Sequence, residues 1–419
     1  MTIERNWAGN LSYRATVVEH PSSIDEARAL IAQSRRVRVL GTRHSFNDIA
    51  DTDGTLLSLD QMPVEIEVSE SRDAVRVSGG ARYGDIAPVL EEQGLALASL
   101  ASLPHISVAG AVATGTHGSG DQIGSLSSAV RAITILTASG EIRRFTRGEV
   151  DFDGAVIGLG ALGAVLDVTL DVEATYQVAQ HVYEHPNWDA VLAEFDAVTG
   201  AGTSVSVFST WQRTDAADQM WIKQRLPDGR AGERAALAAR LGAAVADRPR
   251  HPILGVDPSA ASEQGGVAGA WFQRLPHFRL EFTPSAGAEI QSEYLVPRAD
   301  AIQAIEAVRS LADRIAPVLL VSEVRTVRAD NLWLSSSYEA DAVGLHFTWK
   351  RDEAAVRAVL PELEAALAAS ARPHWGKVYV LDGAEVRSRY PRWSDFAALR
   401  ASIDPERRFV NEYLERLGL

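Results

Sequence analysis

The chain has 419 residues, 46% hydrophobic and 23% charged, with a formal net charge of −14 and no cysteine. That length buries a large core over two or three domains, and so acidic a chain without a Lys/Arg run is a poor binder of nucleic-acid phosphates. The lack of cysteine excludes disulfides, thiolate metal sites and cysteine nucleophiles and agrees with a reducing compartment. MTIERNWAGNLSYR at the start has no apolar run of signal type. No apolar run reaches the roughly 18 residues of a membrane span, so a cytoplasmic protein is expected.

In chain order, Leu11 to Glu19 reads as a strand, and Ser23-Ile24-Asp25-Glu26 as a capping box opening a helix to about Gln33. Val37 to Leu40 is the next strand, opening VRVLGTRHSFND. It breaks at Gly41 and sets Thr42, Arg43, His44 and Ser45 in a row. A strand ending in a glycine turn exposes successive backbone N–H groups, a nest suited to phosphate. Thr42 and Arg43 add donors, and His44 adds a nucleophilic ring nitrogen. The stretch reads as a cofactor pyrophosphate cradle with His44 bonded to the cofactor, or as a surface turn with an incidental histidine. Thr55 to Leu59 is a strand, Val64–Val68 and Ala74–Ser78 alternate as a hairpin, and Tyr83 to Gln93 is a helix stopped by Gly94.

Ser99 to Gly120 is rich in Gly, Ser and Thr yet carries Leu, Ile and Val throughout, unlike a disordered tract. Its small residues let backbone approach a flat ligand; a tightly packed core connection is the other reading. Ala129–Thr137 and Glu141–Phe145 form a hairpin. GLGALG, Gly158 to Gly163, fits G-x-G-x-x-G, but a strand-like alternation from Ala164 to Val172 follows where a dinucleotide fold needs a helix. A Rossmann site is therefore rejected, while Gly160 and Gly163 stay available to pass close to the same cofactor.

From Tyr176 the character changes. Asn187–Val198, Ala299–Ile315 and Glu353–Ala369 read as helices. Val205–Ser209, Gln219–Leu226, Gln291–Val296, Val318–Val324 and Gly344–Lys350 read as strands, with 227–270 a long, partly irregular excursion. There is no H-E-x-x-H, no G-x-S-x-G and no P-loop lysine, so a cofactor enzyme is the economical reading. Gln291 with Glu293, Glu323 with Arg325, and His346 with Thr348 sit at i, i+2, each pair on one face of its strand. Three such strands in one sheet suggest a polar pocket, to which Lys377 adds a cation; a solvated face is the alternative.

The His44 loop, SLPHISVAGAVATGTHGSG and GLGALG together resemble the flavin-binding domain of the vanillyl-alcohol-oxidase family. QSEYLVPR, EVRTV, HFTW and RPHWGKV resemble its alditol-oxidising subgroup. The resemblance runs nearly end to end, weakest at 215–265. It implies an α+β, two-domain FAD-binding fold with an antiparallel-sheet substrate domain: residues 1–175 for FAD, 176–372 for substrate, and 373–419 returning to the first. It implies one FAD, linked through His44 to the flavin 8α-methyl. Gly41, Thr42, Arg43, Ser45, Ser107, Gly110, Gly115, Thr116, His117, Gly118, Gly160 and Gly163 are then the cofactor-binding residues. Arg43 stands where many relatives have glycine.

By the same matching Ser102, Gln291, Glu323, Arg325, His346, Thr348 and Lys377 form a polyol pocket. Hydride leaves a terminal alcohol carbon of xylitol or sorbitol for flavin N5, and O₂ becomes H₂O₂. Arg325 and Lys377 suit the charges that develop. His346 is the first choice of proton acceptor and Glu323 the second. Ala101, small and beside Ser102, leaves a path for O₂. A sugar-1,4-lactone oxidase or dehydrogenase of the same fold is the nearer alternative, and a non-catalytic flavin- or ligand-binding module the farther one. No metal, nucleic acid or membrane partner is expected, and a monomer is.

Overall fold

The computed structural model describes residues 5–282 and 289–419. Helix Ile24–Gln33 starts at the Ser23 cap, whose hydroxyl accepts from the Glu26 N–H at 3.2 Å. The box is offset from its sequence form. The Glu26 carboxylate accepts from the N–H and hydroxyl of Ser22, at 2.8 and 2.9 Å, rather than from Ser23. A small parallel sheet sets Thr55–Ser58 between Val17–Glu19 and Val37–Leu40. The strand expected from Leu11 shortens to Val17–Glu19. The N–H groups of Leu11 and Arg14 donate to the side chains of Asn6 and Asp51 instead of a ladder.

Among the described residues, a five-stranded antiparallel sheet runs in the order Ile66–Val68, Ala74–Ser78, Ala164–Asp171, Val130–Leu136, Ile142–Thr146. Both hairpins read from the alternation therefore form. The strand after GLGALG lies at the centre, with no helix in its place.

The larger sheet, nine strands among the described residues, has at its middle Ser204–Ser209, Leu319–Val327, Ala342–Lys350 and Glu289–Pro297. They pair antiparallel in that order. Period two splits their faces. Ile290, Tyr294, Phe347 and Trp349 pack in one core with Ile305 of helix Ala301–Ser310 and Leu360 of helix Glu353–Ala366. The opposite face carries the polar residues. The helix expected over Ala299–Ile315 breaks at Leu311, whose N–H bonds the Val308 carbonyl at 3.0 Å, while the Ser310 hydroxyl takes the Ala307 carbonyl. Asn187–Val198 likewise divides into Trp188–Ala193 and Phe195–Thr199. The excursion contains a helix, Ala231–Arg240, that the sequence reading leaves out.

The C-terminal segment folds back. Trp375, Phe396, Val410 and Tyr413 share a core with Val75, Val77, Ile133 and Val168. Arg38, 3% exposed, clips the return: its guanidinium donates to the carbonyls of Phe409, Gly160, Leu159 and Ile49 at 2.6 to 2.9 Å. No described helix is long and apolar enough to cross a membrane.

Candidate active site

A cavity of about 470 Å³ lies where these parts meet, lined by the His44 loop, the Ser102–Thr116 stretch, the GLGALG turn and the polar face of the large sheet. Its volume is that of an ordinary small-molecule site. Of the residues singled out in the sequence, Gly41, Thr42, Arg43, His44, Ser45, Ser107, Gly110, Thr116, His117, Gly160 and Gly163 line it. So do Ser102, Gln291, Glu323, Arg325, His346, Thr348 and Lys377, and Ala101 as well. Gly115 and Gly118 do not. Gly115, at φ +65°, turns the chain after helix Val108–Ala113. Gly118 packs so closely that a Cβ would meet the Leu100 carbonyl at 2.7 Å.

One end is a cradle. A Cβ on Gly41 or on Gly110 would come within 2.7 Å of the Ser107 hydroxyl, so the two backbone segments converge on that serine. The Ser107 N–H donates to the Thr42 hydroxyl at 3.2 Å. Both ring nitrogens of His44 are buried without a hydrogen-bond partner. Burial lowers its pKa to about 4, outweighing the nearby Thr42 backbone, which favours the charged ring, so the ring is a neutral nucleophile at pH 7. Trp7 stacks on it, with centroids 5.1 Å apart. Arg43 adopts φ +66°, the left-handed conformation that glycine takes without strain. Its carbonyl accepts from Trp7 N–H at 2.8 Å. An orphaned imidazole facing a cradle of close backbone and hydroxyls fits a flavin nucleotide.

The other end is charged. Antiparallel register sets Gln291 opposite Thr348, and His346 between Glu293 and Glu323. Glu293, 1% exposed, is the hub. It accepts from Arg325 Nη2 at 2.7 Å and Lys377 Nζ at 2.5 Å, with His117 Nε2 at 3.3 Å. Burial pushes its pKa up, but Lys377, Arg325 and His117 together outweigh burial and hold it well below the carboxylate range. Glu323 is treated likewise: burial raises it, and Arg325, His277 and His346 bring it far down. The same two carboxylates keep Arg325 charged against its own desolvation. His346 places Nδ1 2.8 Å from Lys377 Nζ and 3.7 Å from Glu293 Oε2, with Nε2 3.0 Å from the Thr348 hydroxyl. Burial, then Lys377, lower it to about 4, so it is neutral at pH 7. Ser102 Oγ accepts from Arg325 Nη1 at 3.4 Å.

Sequence reasoning paired Glu293 with Gln291 but gave it no role. Its i+2 spacing was the available signal, and the three basic side chains beside it, Arg325, Lys377 and His117, come from three different segments. His277, which donates from Nε2 to Glu323 Oε1 at 2.8 Å, and the wall from His251 to Ala260 carried no periodic signal. The arrangement holds two carboxylates, two cations and a neutral imidazole around a space next to the cradle. It suits a neutral molecule rich in hydroxyls, and proton removal from it.

The FAD binding domain family matches residues 15–146, and the D-arabinono-1,4-lactone oxidase family matches residues 288–417. An alditol oxidase from Streptomyces sp. (strain IKD472) is 46% identical over 99% of each chain. An L-gulono-1,4-lactone dehydrogenase from Mycobacterium tuberculosis is 28% identical over 98% of each. Among solved structures, a cholesterol oxidase from B. sterolicum superposes with a TM-score of 0.77 at 14% identity, over 99% of this chain and 96% of that one, a likeness of fold.

Proposed function

The chain belongs to the vanillyl-alcohol-oxidase family of FAD-dependent oxidoreductases, and we propose that it oxidises the terminal primary alcohol of open-chain alditols such as xylitol and sorbitol to the aldose. FAD, which the His44 loop, Ser107 and Gly110 would hold, would supply the hydride acceptor for the alcohol carbon and the route for the electrons to O₂, which would become H₂O₂. The observation that carries the substrate class is the buried, charge-balanced row of Glu293, His346 and Glu323 beside Arg325, Lys377, Gln291 and Thr348. An alditol offers a hydroxyl to each such group, and a substrate lacking one leaves a buried polar group unpaired.

Residues 1–175 and 373–419 hold FAD in this reading, and 176–372 hold substrate. Gly41, Thr42, Ser45, Ser107, Gly110 and Thr116 cradle the nucleotide, and His44 bonds covalently to the flavin. Glu323, Ser102, Gln291 and Thr348 take successive hydroxyls. Arg325 and Lys377 stabilise negative charge as it develops on the alcohol oxygen. His346 accepts the hydroxyl proton at Nδ1, the ring nitrogen that the Lys377 ammonium 2.8 Å away keeps unprotonated, while Nε2 carries the ring proton and donates to the Thr348 hydroxyl. Lys377 also donates to Glu293. Glu323 is the weaker base because its pKa is held so low. Ala101 keeps the approach of O₂ open. A cytoplasmic monomer completes the proposal, and sedimentation at 45.2 kDa tests its second half.

A sugar-1,4-lactone oxidase is the second reading, favoured by the family match over 288–417, which spans Gln291 to Lys377. Steady-state rates with xylitol, sorbitol and an aldono-1,4-lactone separate the two: higher kcat/KM on the alditols is expected, and preference for the lactone overturns the first reading. Acid precipitation tests the link. A yellow pellet is expected, and a white one from His44→Ala. A white pellet from wild type removes the covalent bond from the scheme.

A further inference from the structure

Behind Glu323 lies a chain of buried groups that the proposed chemistry does not use. Lys223 is 1% exposed. Its ammonium donates to the carbonyls of Leu275 and Pro276 at 2.6 and 2.8 Å, and lies 3.2 Å from His277 Nδ1. An ammonium has no acceptor to offer. His277 Nδ1 must therefore be unprotonated, and the ring proton must sit on Nε2, aimed at Glu323 Oε1 2.8 Å away. Phe208 and Trp221 hold the imidazole edge-on from two sides, with centroids 5.6 and 5.5 Å away. The His277 backbone N–H also donates to the Ser102 carbonyl at 3.1 Å, so one residue ties Ser102 and Glu323 together. The other charged or titratable groups acting on Glu323 include Arg325, His346 and Lys377, and those acting on Lys223 include Glu323 and Arg325.

We propose that Lys223 and His277 form a buried positioning relay: Lys223 sets the His277 tautomer, and His277 fixes the Glu323 carboxylate as an acceptor for a substrate hydroxyl, governing affinity for the polyol more than the rate of oxidation. This rests on the reading of Glu323 as a polyol ligand. With Oε1 occupied by His277, Glu323 has Oε2 left to share between Arg325, 3.6 Å away, and substrate. Without the Nε2 donor the carboxylate turns and the hydroxyl loses its fixed partner. Such a loss appears in KM, because the reacting end still has His346, Lys377 and the flavin.

The test compares His277→Gln, His277→Asn and Glu323→Gln on the holoenzyme with xylitol. The assay is run at pH 6, below the value of about 7 to which burial lowers Lys223, so that its ammonium stays charged. A glutamine amide reaches to where Nε2 stands, whereas an asparagine amide reaches only to Nδ1. His277→Gln should keep KM within about threefold, and His277→Asn should raise it about tenfold, the scale of one charge-assisted hydrogen bond. In both, kcat and bound flavin should stay within about threefold of wild type. Equal KM in the two His277 variants, with KM raised in Glu323→Gln, overturns the relay. Unchanged KM in Glu323→Gln overturns the reading of Glu323 itself. If either His277 variant yields no flavoprotein, Lys223→Met with His277 intact replaces it. Without the ammonium that keeps Nδ1 unprotonated, KM for xylitol should rise about tenfold with kcat within about threefold, and an unchanged KM overturns the relay.

Discussion

His346 stays neutral because burial and the Lys377 ammonium both oppose its charging. A ring lowered to about 4 is in its accepting form across the neutral range, so proton acceptance should hold from pH 8 to 5 and fail as pH falls through about 4. Replacing it removes the acceptor and frees Lys377 and Glu293 to pair with each other alone. His346→Ala should slow anaerobic bleaching of the flavin by xylitol by about 10²- to 10⁴-fold, the usual contribution of a general base. Stopped-flow absorbance reads this directly, and near-normal bleaching assigns the base elsewhere. Arg43 makes a different point at this scale. Its backbone takes a φ of +66°, the left-handed conformation that glycine adopts without strain and an arginine adopts only at a cost.

At the scale of elements, GLGALG shows how a motif and its environment can disagree. Its glycines are spaced for a dinucleotide turn, but the chain runs on into a central strand of the five-stranded sheet. Gly163, at φ +141°, lies against the neighbouring strand, and a Cβ there would meet the Leu136 carbonyl at 2.3 Å. At Gly158, which has no positive φ, the closest contact of a Cβ is 3.1 Å to the Ala155 carbonyl, with Leu162 at an ordinary 3.4 Å. Gly163→Ala should therefore cost about 2–4 kcal/mol through strain and overlap, and Gly158→Ala about 1 or less. Urea midpoints compare them, and equal losses would contradict the packing argument. The same logic separates what the sequence makes legible from what it hides. Strands with one apolar and one polar face announce themselves, as at Gln291, Glu293, His346 and Thr348, because period two survives in the sequence. The Ser23 cap is local and reads equally well. The His251–Ala260 wall and the His277 relay have no period. They exist because segments far apart in the chain converge on one cavity, and Lys223 within its strand looks like any surface lysine until burial is known.

At the scale of the molecule, the cavity forms where the two largest cores approach, so its buried histidines report on the whole fold. His277 and His346 are lowered to about 4, by burial first, then by Lys223 and Lys377 respectively. His374 lies well below its ordinary value for the same first reason. Unfolded, each returns to about 6.5. Below that value the unfolded chain binds protons that the native one refuses, so stability falls as pH drops from about 6.5 toward 4. At pH 5 the loss is about 2 kcal/mol for each of His277 and His346, against a typical total of about 5–15 kcal/mol. Glu293 and Glu323 have lowered pKa values, and their contribution is lost only nearer to and below about 4.5, at the acid end of this window. The urea midpoint of the holoenzyme should therefore fall clearly between pH 7 and 5. His277→Gln carries no titrating ring and keeps a donor to Glu323, so its midpoint should fall less over the same interval. Parallel falls in the two proteins would mean that His277 is not held neutral in the native state, and the relay from Lys223 would lose its tautomer argument with it.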